Sequence, residues 1–271
     1  MRYGTPYKGS KNLIAKKIID VLPSSTNFYD IFCGGGAITH CALESEKWQT
    51  YFMSDINPLP IDLFVGSIAG KYGKDKTWVS REDFHRLKDT DPVVKYCWSF
   101  GNNGKDYMFS KTLEPIKHEA HEYVIRDGMS IKETFDKVEF DGEKRLQQLE
   151  NLTRLENLTR LENLTRLQPV RCDYKDVFFK SDSTVYCDIP YYSTNCGSYD
   201  GFNNDEFYDW AMSQTEMTFI SEYTMPDTFT RIATFKKRQN SSAKGSGELV
   251  DEGLWIPNTQ VSLYLDKMLE E

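Results

Sequence analysis

Apolar positions along the chain follow two periods. Leu13, Ile14, Ile18, Ile19 and Leu22 recur at helical spacing, which predicts a helix within residues 4–23, with Ser10 as N-cap and Lys11, Lys16 and Lys17 on its polar face. Short runs rich in β-branched and aromatic residues predict strands at 27–32, 50–54, 170–173, 184–187 and 217–220, and 260–265 alternates as a last strand. Helical stretches are expected from Ala37 and at 59–69, 81–87 and 205–213. Strands alternating with helices on both sides of a long middle segment predict an α/β fold with a doubly wound sheet.

From Leu59 to about Gly128 that alternation is lost. Within this segment, Asn102, Asn103, Gly104 and Lys105 lie between aromatic runs at 98–100 and 107–109, a pattern that predicts a hairpin or an ordered loop. Asparagine reads adenine, and lysine reads guanine or phosphate, so Asn102, Asn103 and Lys105 are candidate DNA contacts; a plain surface hairpin is the other reading. Residues 146–167 then hold LENLTR in three tandem copies, with a leucine at every third position from Leu146 to Leu167. A spacing of three drifts around a helix of 3.6 residues per turn, so an α-helix and a short solenoid-like coil both remain open. A spacer that packs on the body or on a second subunit is the expected role, and self-association through the leucines is one form of it.

Composition narrows the class. In 271 residues with a formal charge of −8, no generally basic coat for nucleic acid exists, although a local basic face is compatible with that charge. The most basic flexible stretch is 231–244, where Lys236, Lys237, Arg238 and Lys244 suit DNA phosphates or form a solvated loop. Six cysteines without a C-x-x-C pair, beside four histidines, suggest neither a metal site nor a disulfide framework. No apolar run reaches the ~18 residues of a membrane span, and the N-terminus lacks the apolar core of a secretion signal, so a cytoplasmic location is the default expectation.

Candidate chemistry gathers at strand ends. Cys33-Gly34-Gly35-Gly36 joins a strand to a helix, and its three successive glycines carry no Cβ, which lets a ligand approach the backbone and the helix N-terminus. The spacing matches neither G-x-G-x-x-G nor a P-loop. Asp55 ends the second strand about 20 residues later, where a doubly wound fold places a ribose-hydroxyl acceptor. The run 185–192 reads as a buried strand ending in Asp188, Ile189, Pro190 and Tyr191. Pro190 has no amide hydrogen and keeps Ile189 extended, so the Ile189 carbonyl points away from the ladder beside the Asp188 carboxylate and the Tyr191 ring. Two acceptors next to an aromatic face suit a planar heterocycle that carries an amino group; a turn with a core tyrosine is the plainer reading. Residues 193–204 are expected to form a mobile loop beside Asp188, and Glu222 is expected to be structural.

In order and spacing, DIFCGGGA, SDIN and VYCDIPYY resemble the DNA adenine methylase family, S-adenosylmethionine-dependent enzymes with an Asp-Pro-Pro-Tyr motif after the fourth strand. Ile189 stands where that pattern has proline. The resemblance implies a Rossmann-like methyltransferase fold, with a mixed, doubly wound sheet in a catalytic domain at 1–58 and 168–271. A target-recognition insertion would occupy 59–145 and the leucine-rich insertion 146–167. It further implies that Tyr7 and Lys11 lie near the methionine portion of S-adenosylmethionine, that Asp30, Phe32, Gly34 and Gly36 form the cofactor loop, and that Asp55 holds the ribose. Asp173 would accept from the adenine amine of the cofactor. The implied activity is methyl transfer to the N6 amine of a flipped adenine in double-stranded DNA, as in restriction-modification. Methylation of RNA or a protein amide, or a DNA-binding or assembly protein with a decayed site, are the alternatives. Cytosine-ring methylation is disfavoured because Cys187 falls on the buried side of its strand.

Overall fold

A computed structural model describes residues 2–161, 164–191, 201–238 and 249–270. In chain order its elements are α1 (Ala15–Val21), β1 (Asn27–Ile31), α2 (Ala37–Ser45), β2 (Thr50–Asp55), α3 (Pro58–Ile68), α4 (Arg81–Leu87), α5 (Pro92–Cys97), α6 (Glu114–Asp127), α7 (Ile131–Lys137), α8 (Gln147–Asn157), β3 (Leu167–Arg171), β4 (Ser183–Cys187), α9 (Asn204–Ser213), β5 (Met217–Glu222), β6 (Phe229–Arg238), β7 (Leu249–Pro257) and α10 (Val261–Glu270). The chain divides into two compact units, one of Met1–Gly4, Lys11–Ile61 and Glu162–Glu271, the other of Thr5–Ser10 and Asp62–Leu161.

The first unit is built on a seven-stranded sheet in the order β3-β2-β1-β4-β5-β7-β6. Strands β3, β2, β1, β4 and β5 run parallel, while β7 is antiparallel to both β5 and β6. β1, β4 and β5 are buried at every position, as expected of parallel strands covered on both faces. β3 is an edge, and Pro169 is tolerated there because an edge strand leaves one row of amides unpaired. The chain moves from β1 out to β3 and returns to β4 on the other side of β1. Strand order therefore reverses between β1 and β4, and the crevice beyond their carboxyl ends is where open α/β sheets bind ligands.

Three local expectations change. The first helix starts at Ala15, without a side-chain cap, after a turn in which Ile14 N–H donates to the Lys11 carbonyl. Leu13 consequently precedes the helix and is exposed, whereas Ile14, Ile18, Ile19 and Leu22 are buried, and Lys11 turns inward instead of lying on a polar face. The basic stretch expected to be flexible is strand as far as Arg238, paired with β7 through Lys236↔Asp251, Lys237↔Val250 and Arg238↔Leu249. Lys244 lies outside the described residues. Finally, 260–265 does not form a strand: a turn at Asn258–Gln260 leads into α10, where Val261, Tyr264, Lys267 and Met268 are the half-buried positions. That spacing is helical, and the short alternation around Leu263 and Leu265 instead marks two exposed side chains. Residues 193–200 of the expected loop also lie outside the described residues.

In the second unit, Trp78 stacks on Phe109 and meets Trp98 edge to face. The repeat supplies part of this unit's core. On an α-helix, a spacing of three moves each leucine by about 60° around the axis. α8 ends before that drift turns the series outward, so Leu149, Leu152 and Leu155 stay buried. The chain then tightens into 3₁₀ turns at Leu158–Arg160 and Leu164–Arg166, whose period of three matches the repeat. Gly73 accommodates α8 because a Cβ there would sit 2.7 Å from Glu156 N and 2.8 Å from Leu152 O. Residues 98–109 form an ordered loop with a bridge between Ser99 and Tyr107 and a 3₁₀ turn at Phe100–Asn102. Among the described residues, no helix is long and apolar enough to cross a membrane.

Candidate active site

All parts of the site described here belong to the first unit. β1 feeds the turn 32–36, which reverses direction through Phe32 (φ 64°), Gly34 (φ 45°) and Gly36 (φ 67°), the last being the N-cap of α2. A left-handed phenylalanine is uncommon, and the turn is fixed by several bonds: Cys33 N–H to the Ser54 carbonyl (2.9 Å), Gly36 N–H to the Cys33 carbonyl (2.8 Å) and Gly34 N–H to Asp55 Oδ2 (2.9 Å). Asp55 Oδ1 accepts from Asn57 N–H at 2.9 Å. Residues 2–4 pass over the turn so closely that a Cβ on Gly4 would lie 2.5 Å from the Gly35 carbonyl oxygen. Gly4 N–H donates to His40 Nδ1 on α2 at 3.0 Å.

Beneath the turn, Asp30 Oδ2 accepts from Thr39 N–H and Thr39 Oγ1–H at 3.0 and 2.6 Å. Its Oδ1 is buried without a hydrogen-bond partner among the described residues. Burial lifts the Asp30 carboxyl to a pKa of about 7 against the pull of the Thr39 bonds, with the charges of Asp188 and Asp55 adding to it. Asp55 rises to about 6, again through burial and against its two amide bonds.

Beside the turn opens a cleft of about 220 Å³ lined by Phe32, Asp55, Asp173, Tyr174, Phe202 and Glu206, among others. Phe32 packs tilted on Tyr174 and edge-on to Phe202, giving the cleft an aromatic wall. Asp173 follows β3 and holds Lys175 N–H at 3.0 Å. Left-handed glycines at a helix N-terminus, an aromatic wall, and carboxylates at two strand ends fit a nucleoside-bearing ligand, with stacking for its base and acceptors for its hydroxyls and amine.

β4 delivers Asp188 next door, since Ile31 and Cys187 are register partners at the ends of β1 and β4. Ile189 is buried in the core, which fixes the turn by packing where a proline ring would fix it by covalent geometry. Buried Lys11 pairs with Asp188 Oδ1 and lies 3.3 Å from Glu252 Oε1 on β7. Burial alone would lower the Lys11 ammonium; the charges of Asp188 and Glu252 and their hydrogen bonds outweigh it and hold its pKa above the usual lysine value. Tyr191 O–H donates to the same Glu252 Oε1 at 2.8 Å, with the Lys11 ammonium 4.8 Å from its ring centroid and Tyr223 packed against it.

Thus Lys11, Asp30, Phe32, Gly34, Gly36, Asp55, Asp173 and the run Asp188–Tyr191 all lie in the first unit, whereas Tyr7 belongs to the second, where it packs on Tyr96. In the 98–109 loop, Asn102 donates its side-chain amide to the Tyr96 carbonyl and Asn103 accepts from Lys105 N–H and Asp106 N–H, so both hold the loop's own shape. Lys105 is exposed, as is Lys236 on β6. Glu222 is buried in β5 and accepts from Tyr223 N–H, a structural placement. Sequence reasoning missed Glu252 and Gly4. The available signal for Glu252 was an acid set just before Gly253-Leu254-Trp255 in a strand, and for Gly4 a glycine directly after Tyr3 and shortly before Pro6.

The model of a family described as D12 class N6 adenine-specific DNA methyltransferase matches residues 7–215, more than half of the chain. No curated protein matches it.

Proposed function

The chain belongs to the D12 class N6 adenine-specific DNA methyltransferase family and is an enzyme of site-specific adenine methylation, and on that premise we propose that residues Asp188–Tyr191 receive the target adenine while the cleft beside Phe32 receives S-adenosylmethionine. The observation that carries this reading is the adjacency of the two strand ends at the reversal of strand order: Ile31 leads into the glycine turn and its register partner Cys187 leads into Asp188.

When bound, S-adenosylmethionine supplies the methyl group. Asp55, which keeps lone pairs beyond its two amide bonds, holds the ribose hydroxyls; Asp173 accepts from the adenine amine of the cofactor, and Phe32 packs against its base. Asp30, Gly34 and Gly36 shape the turn beneath it. At the target, the N6 amine is a poor nucleophile because its lone pair is delocalised into the ring. Hydrogen bonds from its two N–H groups to the Asp188 carboxylate and the Ile189 carbonyl draw the nitrogen towards tetrahedral geometry and localise that pair. Tyr191 offers its ring to an adenine flipped from the duplex, since a stacked base cannot reach a site at a sheet edge. The chain's contribution is positioning and preorganised electrostatics. Cys187 does not serve as a nucleophile: it is fully buried in the core, and burial pushes its thiol well up. Target recognition is assigned to residues 59–145, with Lys105 contacting DNA from the loop that Asn102 and Asn103 hold in shape; Lys236, Lys237 and Arg238 add phosphate contacts.

The test is transfer of labelled methyl to duplex DNA, single-stranded DNA and RNA, followed by nucleoside analysis. N6-methyl-2′-deoxyadenosine in the duplex arm is expected, and Asp188→Ala is expected to abolish it with cofactor affinity by calorimetry nearly intact. Turnover retained in Asp188→Ala removes the assigned role.

A further inference from the structure

We propose that Glu252 is a positioning residue for methyl transfer, one carboxylate oxygen holding both the Tyr191 hydroxyl and the Lys11 ammonium so that Tyr191 and Asp188 keep the arrangement the target base requires. The inference rests on the reading that this turn receives adenine.

Glu252 is fully buried on β7, beyond the span 7–215. Pairing of Glu222 with Gly253 sets residue 252 next to the carboxyl end of β5, on the sheet edge where Asp188 emerges from neighbouring β4. From there Oε1 reaches Tyr191 O–H at 2.8 Å and Lys11 Nζ at 3.3 Å, and Lys11 carries the link on to Asp188. The series Tyr191, Glu252, Lys11, Asp188 thus closes a ring that begins and ends in the same turn. Within that turn only Pro190 has a locked φ; Ile189 is restrained by its packing, and Tyr191 by its hydroxyl bond and Tyr223. With Glu252 removed, the Tyr191 ring gains rotation and Lys11 is left with Asp188 as its carboxylate partner among the described residues, drawing that carboxylate away from the incoming amine. Glu252 touches neither substrate, so its effect falls on geometry at the reacting nitrogen.

The experiment uses the full chain with Glu252→Gln, Glu252→Ala and Tyr191→Phe, singly and combined. Glu252→Gln keeps volume and an acceptor for Tyr191 but removes the charge facing Lys11. We expect kcat to fall by about 10-fold or more in both Glu252 variants, with cofactor Kd and KM for DNA within about 3-fold of the parent, the signature of an interaction expressed in the transition state. We also expect Glu252→Ala to cost much less in the Tyr191→Phe background than in the parent, because the two share one bond. A kcat within about 3-fold in Glu252→Gln, a loss confined to KM, or independent multiplication of the Glu252→Ala and Tyr191→Phe effects each overturn the proposal. If Glu252→Ala does not fold, Glu252→Met, which fills the same space and likewise removes the acceptor for Tyr191, takes its place in the cycle with Tyr191→Phe. A parent enzyme that leaves adenine N6 unmethylated refutes the assignment of the turn; a methylating parent with unaffected variants refutes the Glu252 inference alone.

Discussion

The carboxylate of Asp55 accepts the Gly34 amide at 2.9 Å, which ties the end of β2 to the turn that follows β1. The residue assigned to the ribose therefore also shapes the glycine turn. Asp55→Ala is expected to raise the cofactor Kd by about 10-fold or more, while Asp55→Asn, which keeps one acceptor, loses less. Calorimetric titration separates them, and an unchanged Kd in Asp55→Ala counts against the ribose assignment.

Lys11 is shared by two carboxylates, Asp188 and Glu252. Lys11→Met leaves Asp188 and Glu252 facing each other without their shared cation, and loss of one partner of a buried ion pair costs about 3–5 kcal/mol. Urea denaturation is expected to show a loss of that order together with loss of methyl transfer. Full stability in this variant contradicts the buried-pair account.

Gly4 is confined twice, by φ +70° and by a Cβ position 2.5 Å from the Gly35 oxygen and 2.7 Å from Ala37 N. Both neighbours are backbone and have no rotamer with which to yield. Gly4→Ala is expected to destabilise by more than about 1 kcal/mol and to weaken cofactor binding through the displaced turn. Thermal denaturation and cofactor titration read the two effects.

Stability should fall as pH rises through the range set by Asp30. Folded, this carboxyl keeps its proton up to about pH 7; unfolded, it releases it near 3.8. Between those values the native state binds more protons than the unfolded one, so ΔG of unfolding decreases with pH. Asp55, raised to about 6, acts in the same direction. Asp30→Asn, whose carbonyl can still accept from Thr39 N–H, is expected to flatten the dependence of stability on pH between 4 and 7. An identical slope in the variant removes Asp30 as its source.

The leucine repeat makes a contrasting stability prediction. Leu155 is fully buried in α8, so Leu155→Ala is expected to cost about 2–5 kcal/mol, whereas Leu265→Ala on the exposed side of α10 changes stability by less than about 0.5 kcal/mol. Denaturant midpoints of the two variants check this directly.

Parallel strands buried on both faces advertise themselves as apolar β-rich runs, and for this reason β1, β2, β4 and β5 were legible within a residue or two, as were Asp55, Asp173 and Asp188 at strand ends. The expectation failed where local patterns were short or ambiguous. Leu263 and Leu265 mimicked a strand while Val261, Tyr264 and Met268 carried the helical contact, and the basic residues after Arg231 concealed a strand whose pairing partner begins only at Leu249.

By itself the sequence determined which residues end strands, where glycines free a turn, and how the motifs follow one another, because these depend on neighbours within a few positions. Only the tertiary structure decided that Lys11 faces Asp188 and that Glu252, 64 residues further on, completes the group. A buried charge is settled by its partner in space, and sheet order, which brings β7 beside β5 and β4 beside β1, carries no imprint in the spacing of residues along the chain.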